Sequence, residues 1–232
     1  RLTQALVTAM TAEMSQGKLY EVDMRLRPSG RKGPVATSWT SFKDYQTNEA
    51  WAWEHLALTR GRVICGSSEL SINIEDFRLQ LIQNVRPEVA VRSLKEMREK
   101  IQKIDLNNNK WEFKQGIGKM QDIELFSQLS TLINGKVTRD VSSGLIAGSE
   151  SGLLTNTQLD QILKTYKFLK EMNMATRLIN DPSQEFERIS TSGHSFILKL
   201  TKINTIKDLN KNFELQTKKV AKIIDTVLLR SV

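Results

Sequence analysis

From Pro87 to Arg230, apolar side chains recur three and four places apart, a spacing that gives a helix one greasy face and leaves little room for sheet. Val91, Leu94, Met97, Ile101 and Ile104 form one stripe, behind a proline that suits a first helical turn. Leu125, Leu129 and Leu132 form the next, which Asn134-Gly135 ends. Leu159, Ile162, Tyr166 and Leu169 mark a helix over 157–180, broken by Asp181-Pro182. Ile206, Leu209, Phe213, Val220, Ile223 and Val227 mark the last, over 205–230. Residues 184–203 also read as helical, with an interruption near Ser192-Gly193, and the serine- and glycine-rich stretch 136–156 reads as loop.

The N-terminal part reads differently. Residues 1–14 have helical spacing at Leu2, Leu6 and Met10, and Ser15-Gln16-Gly17 ends that helix. Residues 18–27 then alternate strictly. Tyr20, Val22, Met24 and Leu26 share one face, expected to be buried, and Glu21, Asp23, Arg25 and Arg27 share the other. That is the pattern of a strand, closed by Pro28. A Gly/Pro loop follows over 28–38. Helix resumes from Thr40, with Ser41 to Asp44 resembling a capping box and Asn48 placed to cap a second helix. Residues 61–68 are short and apolar, a strand or a helix end, and Asp76 begins another helical stretch. The polar run 106–110 suggests a boundary between residues 1–106 and 107–232. The expected class is mainly α with a small β portion.

The chain has 232 residues, enough for a real core, and begins at Arg1 as if in mid-helix, which suggests a terminus cut from a longer chain. Its net charge of +8 suits phosphate-bearing partners or simply a basic solvated surface. Trp39, Trp51, Trp53 and Trp111 lie in or beside apolar helical patterns rather than on a clustered Lys/Arg face, so nucleic acid is not the expected partner. No apolar run approaches the ~20 residues of a membrane span, and no membrane partner is expected. Cys65 is the only cysteine, which fits a reducing, cytoplasmic setting, and with His55 and His194 it forms no zinc-ligand spacing.

The polar row of the 18–27 segment is the one place where chemistry is legible. A carboxylate is a hard-oxygen ligand for Mg²⁺, guanidinium groups pair with phosphate oxygens, and a glycine loop lets backbone approach a phosphate. A surface strand with cross-strand ion pairs would read the same way.

The wording of three segments adds to this. LYEVDMRLRPSGRKGPVATS, NEAWAWEHLALTRGRV and GIGKMQDIEL, in that order over about residues 18–126, resemble the bacterial glutamine synthetase adenylyltransferase family. The resemblance implies a polymerase-β-like nucleotidyltransferase domain, here a C-terminal remnant, followed by a helical bundle. It implies AMP transfer from ATP, with Mg²⁺, to a tyrosine of glutamine synthetase, removal by phosphorolysis in a sister module, and PII signalling proteins as regulators. Ser29 resembles the adenylylating module, where the removing module tends to carry Phe.

By the same resemblance, Asp23 is the catalytic and metal-binding aspartate, the third acidic position of the site. Arg25 and Arg27 match the arginines that contact phosphates or buttress the site. Glu21, Glu54, Arg60, Arg62, Asp122 and Glu124 are supporting positions. An ion-pair network is the expected role of Glu54, Arg60 and Arg62, and a helix start that of Asp122. Asp122 and Glu124, two apart on a helix, are not expected to share a face. Gly61 stands where the family commonly has Ala, and residues 115–120 depart from its commoner G-G-L form. The family's S-D-x-D carboxylates do not precede Asp23 here, so the expected site is partial. The other reading is a helical interaction module that docks glutamine synthetase or a PII protein without catalysis of its own.

Overall fold

The computed structural model describes residues 1–103, 111–179 and 189–230. Helix dominates them. In chain order the helices are α1 (Leu2–Thr11), α2 (Trp39–Asn48), α3 (Ala52–Leu58), α4 (Ser68–Asn84), α5 (Pro87–Gln102), α6 (Met120–Asn134), α7 (Val141–Glu150), α8 (Asn156–Ile179), α9 (Thr191–Thr201) and α10 (Ile206–Arg230). The sheet among these residues is one antiparallel pair, β1 (Glu13–Met14) with β2 (Gly17–Lys18). The class is therefore mainly α with a small β portion.

Local chemistry sets most of the helix boundaries. Ser38, Ser67, Asp140 and Ser190 each accept a hydrogen bond from a first-turn amide of the helix that follows. Thr155 and Thr205 do the same for α8 and α10 through Gln158 and Asp208. Gly135, left-handed at φ 70°, ends α6 as its sequence predicts.

Helix α6 lies at the centre. Helices α3, α4, α5, α7 and α8 pack on it, and α8 in turn carries α9 and α10. Leu94, Phe126, Leu145, Ile162, Leu209 and Ile224 lose all solvent contact in the shared core. Trp111 stacks on Phe213 with ring centroids 6.1 Å apart, and Phe113 meets both rings edge-on.

Several sequence expectations change. The 18–27 segment is not a strand beyond Lys18: residues 20–24 have no regular structure and 25–27 turn. Tyr20 and Leu26 are 61% and 73% exposed, and Val22 and Met24 are only half-buried. A strand needs a hydrogen-bonded neighbour, and the described residues offer this segment none. Helix α2 is capped by Ser38 rather than Ser41, and the cap position of α3 is Trp51 rather than Asn48, with the Trp51 amide donating to Glu54 3.2 Å away. Helix α4 begins at Ser68, not Asp76. Residues 61–67 take up neither strand nor helix.

The stretch read as loop over 136–156 contains α7. Its small residues serve packing: a Cβ at Gly144 would stand 2.2 Å from the Ser127 hydroxyl of α6, so glycine lets the two helices meet closely. Helix α9 runs through Ser192-Gly193 without a break. Ile104, the boundary at 106–110 and the Asp181-Pro182 break fall outside the described residues.

Gly118 supplies a second close approach. It sits at φ 73°, and an added Cβ would lie 2.1 Å from the Thr217 carbonyl oxygen of α10. Gly118→Ala is expected to cost about 3 kcal/mol in urea unfolding, from left-handed strain and overpacking together. An unchanged midpoint would show that this turn does not seat α10.

Candidate functional site

Asp23 lies in an exposed turn and is held by its own neighbour. The Arg25 Nε donates to both carboxylate oxygens at 3.0 and 2.8 Å, the Arg25 Nη2 donates at 2.6 Å, and the Arg25 amide at 2.9 Å. These bonds favour the ionised carboxylate. Chiefly through the Arg25 side chain, they hold Asp23 down at about 2. Arg27 turns the other way and organises the loop: it donates to the carbonyls of Met24 (2.6 Å), Gly33 (3.3 Å) and Arg31 (3.4 Å). Of the two roles open to it, buttressing is the one its contacts show. Ser29 within this loop is left-handed at φ 57°, rare for a residue with a side chain. Among the described residues Glu21 pairs with Lys18 alone, 3.0 Å away at the surface.

The second motif forms the α2–α3 corner. Both carboxylate oxygens of Glu54 accept from the Tyr45 hydroxyl at 3.0 Å, and His55 Nε2 lies 3.0 Å from the Gln46 carbonyl. Burial raises the Tyr45 phenol above its ordinary value, more than the Ser29 backbone amide lowers it. Arg60, just past α3, pairs with Glu124 of α6 at 3.4 Å, and Glu124 accepts from the Tyr166 hydroxyl of α8 at 2.9 Å. Burial, more than the Glu124 charge, pushes that phenol well up. Arg62 is exposed, without an ion pair among the described residues, on a groove of about 440 Å³ shared with Trp39, Phe42 and Ile64. The ion-pair network expected of Glu54, Arg60 and Arg62 thus includes Arg60 alone; Glu54 is held by neutral donors.

Asp122 does far more than start a helix. It is wholly buried and takes a two-pronged contact from Arg98 of α5, at 2.8 and 3.1 Å, plus the Gly118 amide at 2.7 Å. Arg98 also reaches Asp225 of α10 at 2.7 Å. Burial pushes the Asp122 carboxyl up, against the pull of Arg98 and the Gly118 amide. Asp122 and Glu124 point apart, as their spacing requires. Arg98 and Arg78 were not singled out from sequence. Arg78, also buried, donates to the carbonyls of Leu58 (3.1 Å) and Thr59 (3.2 Å) and to Glu75 (2.5 Å), closing the end of α3. The available signal was position: Arg98 falls on the stripe of Val91, Leu94 and Ile101, and Asp122 on that of Leu125, Leu129 and Leu132. A charge on an apolar stripe needs an internal partner.

The structure does not bring the candidate residues into one place. Asp122 and Glu124 serve the bundle, Glu54 the α2–α3 corner, and Asp23 the exposed turn. Among the described residues no three His, Cys, Asp or Glu side chains gather where a metal ion could sit. Asp23 with its paired arginine does not by itself make a Mg²⁺ site.

Residues 1–77 match the family model for glutamate-ammonia ligase adenylyltransferase, and residues 90–228 match that for GlnD PII-uridylyltransferase. Over most of its length the chain is similar to glutamine synthetase adenylyltransferases. It is 37% identical over 188 residues to the bifunctional glutamine synthetase adenylyltransferase/adenylyl-removing enzyme of Rhizobium meliloti, covering 78% of this chain and 19% of that protein. It is 42% identical over 142 residues to the enzyme of the same name from Bradyrhizobium diazoefficiens, covering 61% and 14%. With that of Brucella suis the figures are 38% over 189 residues, 78% and 19%. The chain thus spans about a fifth of the length of these adenylyltransferases. No described helix is long and apolar enough to cross a membrane.

The Arg25 contacts make Asp23 harder to protonate than an ordinary surface aspartate. A depressed folded-state value adds stability above the unfolded aspartate range of about 3.9, and that increment fades as pH falls toward the folded value. Carboxyl NMR is expected to show Asp23 titrating at about 2. Arg25→Gln is expected to return it to the ordinary range. An ordinary midpoint in the parent chain would mean that the pair does not form.

Proposed function

We propose that this chain is part of an enzyme that transfers AMP from ATP to a tyrosine of glutamine synthetase in the cytoplasm, with PII proteins as regulatory partners. Identity of 37–42% with proteins named for that activity carries the reading. Residues 1–106 lend the end of the nucleotidyltransferase domain and 107–232 the bundle. Ser29 favours the adenylylating over the removing module. Supporting this, Asp23 and Arg25 are exposed, where a nucleotide could approach, and Arg27 ties the turn to the carbonyl of Gly33 in the 28–38 loop.

Asp23 is then one carboxylate ligand of a Mg²⁺ site whose other ligands the described residues do not supply. Its own part is to keep a negative charge at the turn at all working pH values, which the Arg25 contacts ensure. Arg25 can reach either Asp23 or a phosphate oxygen, since it is exposed and, among the described residues, held by that aspartate alone. Arg27 keeps the turn in shape. Glu54, Arg60, Asp122 and Glu124 hold helices together and touch no reacting atom. A helical docking module is the second reading, favoured by the separate match of residues 90–228 to a model named for PII-uridylyltransferase.

The test uses labelled ATP, Mg²⁺ and glutamine synthetase. The 232-residue chain alone is expected to transfer no AMP, because its described residues do not gather the carboxylates that metal-assisted transfer needs. In an enzyme of the relatives' full length that carries this segment, Asp23→Asn is expected to fold normally and lose most transfer, because an amide oxygen is a poorer Mg²⁺ ligand than a carboxylate. Full transfer by that variant would remove Asp23 from the site, and transfer by the 232-residue chain would place the missing ligands within it.

A further inference from the structure

A cavity of about 570 Å³ opens between α5, the turn before α6, and α10. Ile101, Ile117 and Leu228 give it an apolar lining, and Leu229, 77% exposed, extends that lining toward solvent. Two cations of α5 also line it, Lys95 and Arg98, three places apart and so on one side of the helix. Arg98 is buried, and its Nε and Nη2 are taken by the wholly buried Asp122. Its Nη1 is taken by Asp225, whose side chain is 59% exposed. Lys95 is half-buried, yet among the described residues it forms no ion pair or hydrogen bond. A partly buried ammonium without a counter-charge is unfavourable, and a ligand that supplies the charge relieves it.

We propose that this cavity binds a small aliphatic monocarboxylate. The headgroup pairs with Lys95 and takes the place of Asp225 on Arg98 Nη1, while the chain lies against Ile101, Ile117 and Leu228. The replacement matches like with like, since the group that leaves Arg98 is itself a carboxylate. Asp225 is already more than half in water and has only to turn outward, whereas Asp122 keeps its two bonds and the core is undisturbed. The acids that line the cavity, Glu99 and Asp225, are both exposed, so water screens them more than it screens Lys95. Occupancy exchanges the Arg98 contact with α10 for one with the ligand, which loosens the hold of α5 on α10. None of this depends on the proposed AMP transfer.

The test is calorimetric titration of the 232-residue chain with hexanoate, alongside butyrate, octanoate, hexylamine and hexanol. Saturable hexanoate binding is expected, tightening about fourfold for each added methylene until the cavity is filled. Hexylamine and hexanol are expected to bind far more weakly. Lys95→Gln is expected to weaken hexanoate roughly tenfold or more, the loss of one charged contact, and Lys95→Arg to retain it. Lys164→Gln, on the exposed side of α8, should change nothing. Asp225→Asn is expected to tighten binding severalfold, because a neutral amide competes less well for Arg98. If Asp225→Asn fails to fold, the two Lys95 variants decide the matter alone. No saturable hexanoate binding by the parent chain, hexanol binding as tightly as hexanoate, or hexanoate binding unchanged in Lys95→Gln would overturn the proposal.

Discussion

The contact on which the bundle depends is the buried guanidinium of Arg98. It holds Asp122 of α6 with two hydrogen bonds and Asp225 of α10 with a third, while Asp122 also takes the amide of Gly118. Three helices and the turn before α6 are thereby fixed around one cation. Removing one partner of such a pair costs about 3–5 kcal/mol, far more than the pair contributes over an apolar replacement. Its value is geometric: only one rotation of α5 about its axis brings Arg98 to Asp122, and only one seating of α10 brings Asp225 to the remaining nitrogen. The close approach of Gly118 to Thr217 fixes the depth of that seating. The apolar stripes supply the driving force, and the polar contacts select among the ways stripes can pack.

Two kinds of acidic residue follow from this. Asp122 and Glu124 each meet donors from two other places in the chain, and Glu54 meets the Tyr45 hydroxyl of α2 besides the amide that starts its own helix; their work is to join helices. Asp23 meets a donor only two residues away, in the open. An exposed pair of this sort adds little to stability, so the fold gives no reason for an aspartate and an arginine there. That contrast, with the likeness to the adenylyltransferases, carries the role proposed for Asp23. Arg62 is similar in being exposed and unpaired among the described residues, beside the groove at Trp39 and Phe42.

The long helices were legible because periodic apolar residues report the direction of the core whatever lies in it. Asn134-Gly135, Pro87 and the starts of α8 and α10 lie within a residue of where the sequence places them. Helix α7 was not legible, because Val141–Glu150 is built of the small residues that also make loops, and what makes it helical is close packing on Ser127 of α6. The period of two in residues 18–27 was read correctly as a pattern, but a pattern becomes a strand only with a neighbour to bond. Within the candidate site, the separation of Asp122 from Glu124 followed from helix geometry. The pairing of Asp122 with Arg98 did not, since 24 positions separate them, although both stand on apolar stripes.

The central claim is that Asp23 faces the nucleotide while Asp122 and Glu124 face the protein. Manganese broadening of carboxylate resonances measures this directly, in an enzyme of the relatives' full length supplied with ATP and Mn²⁺ in place of Mg²⁺. The expected result is loss of the Asp23 signal, with those of Asp122 and Glu124 intact. Broadening of Asp122 or Glu124 with Asp23 unaffected would contradict it.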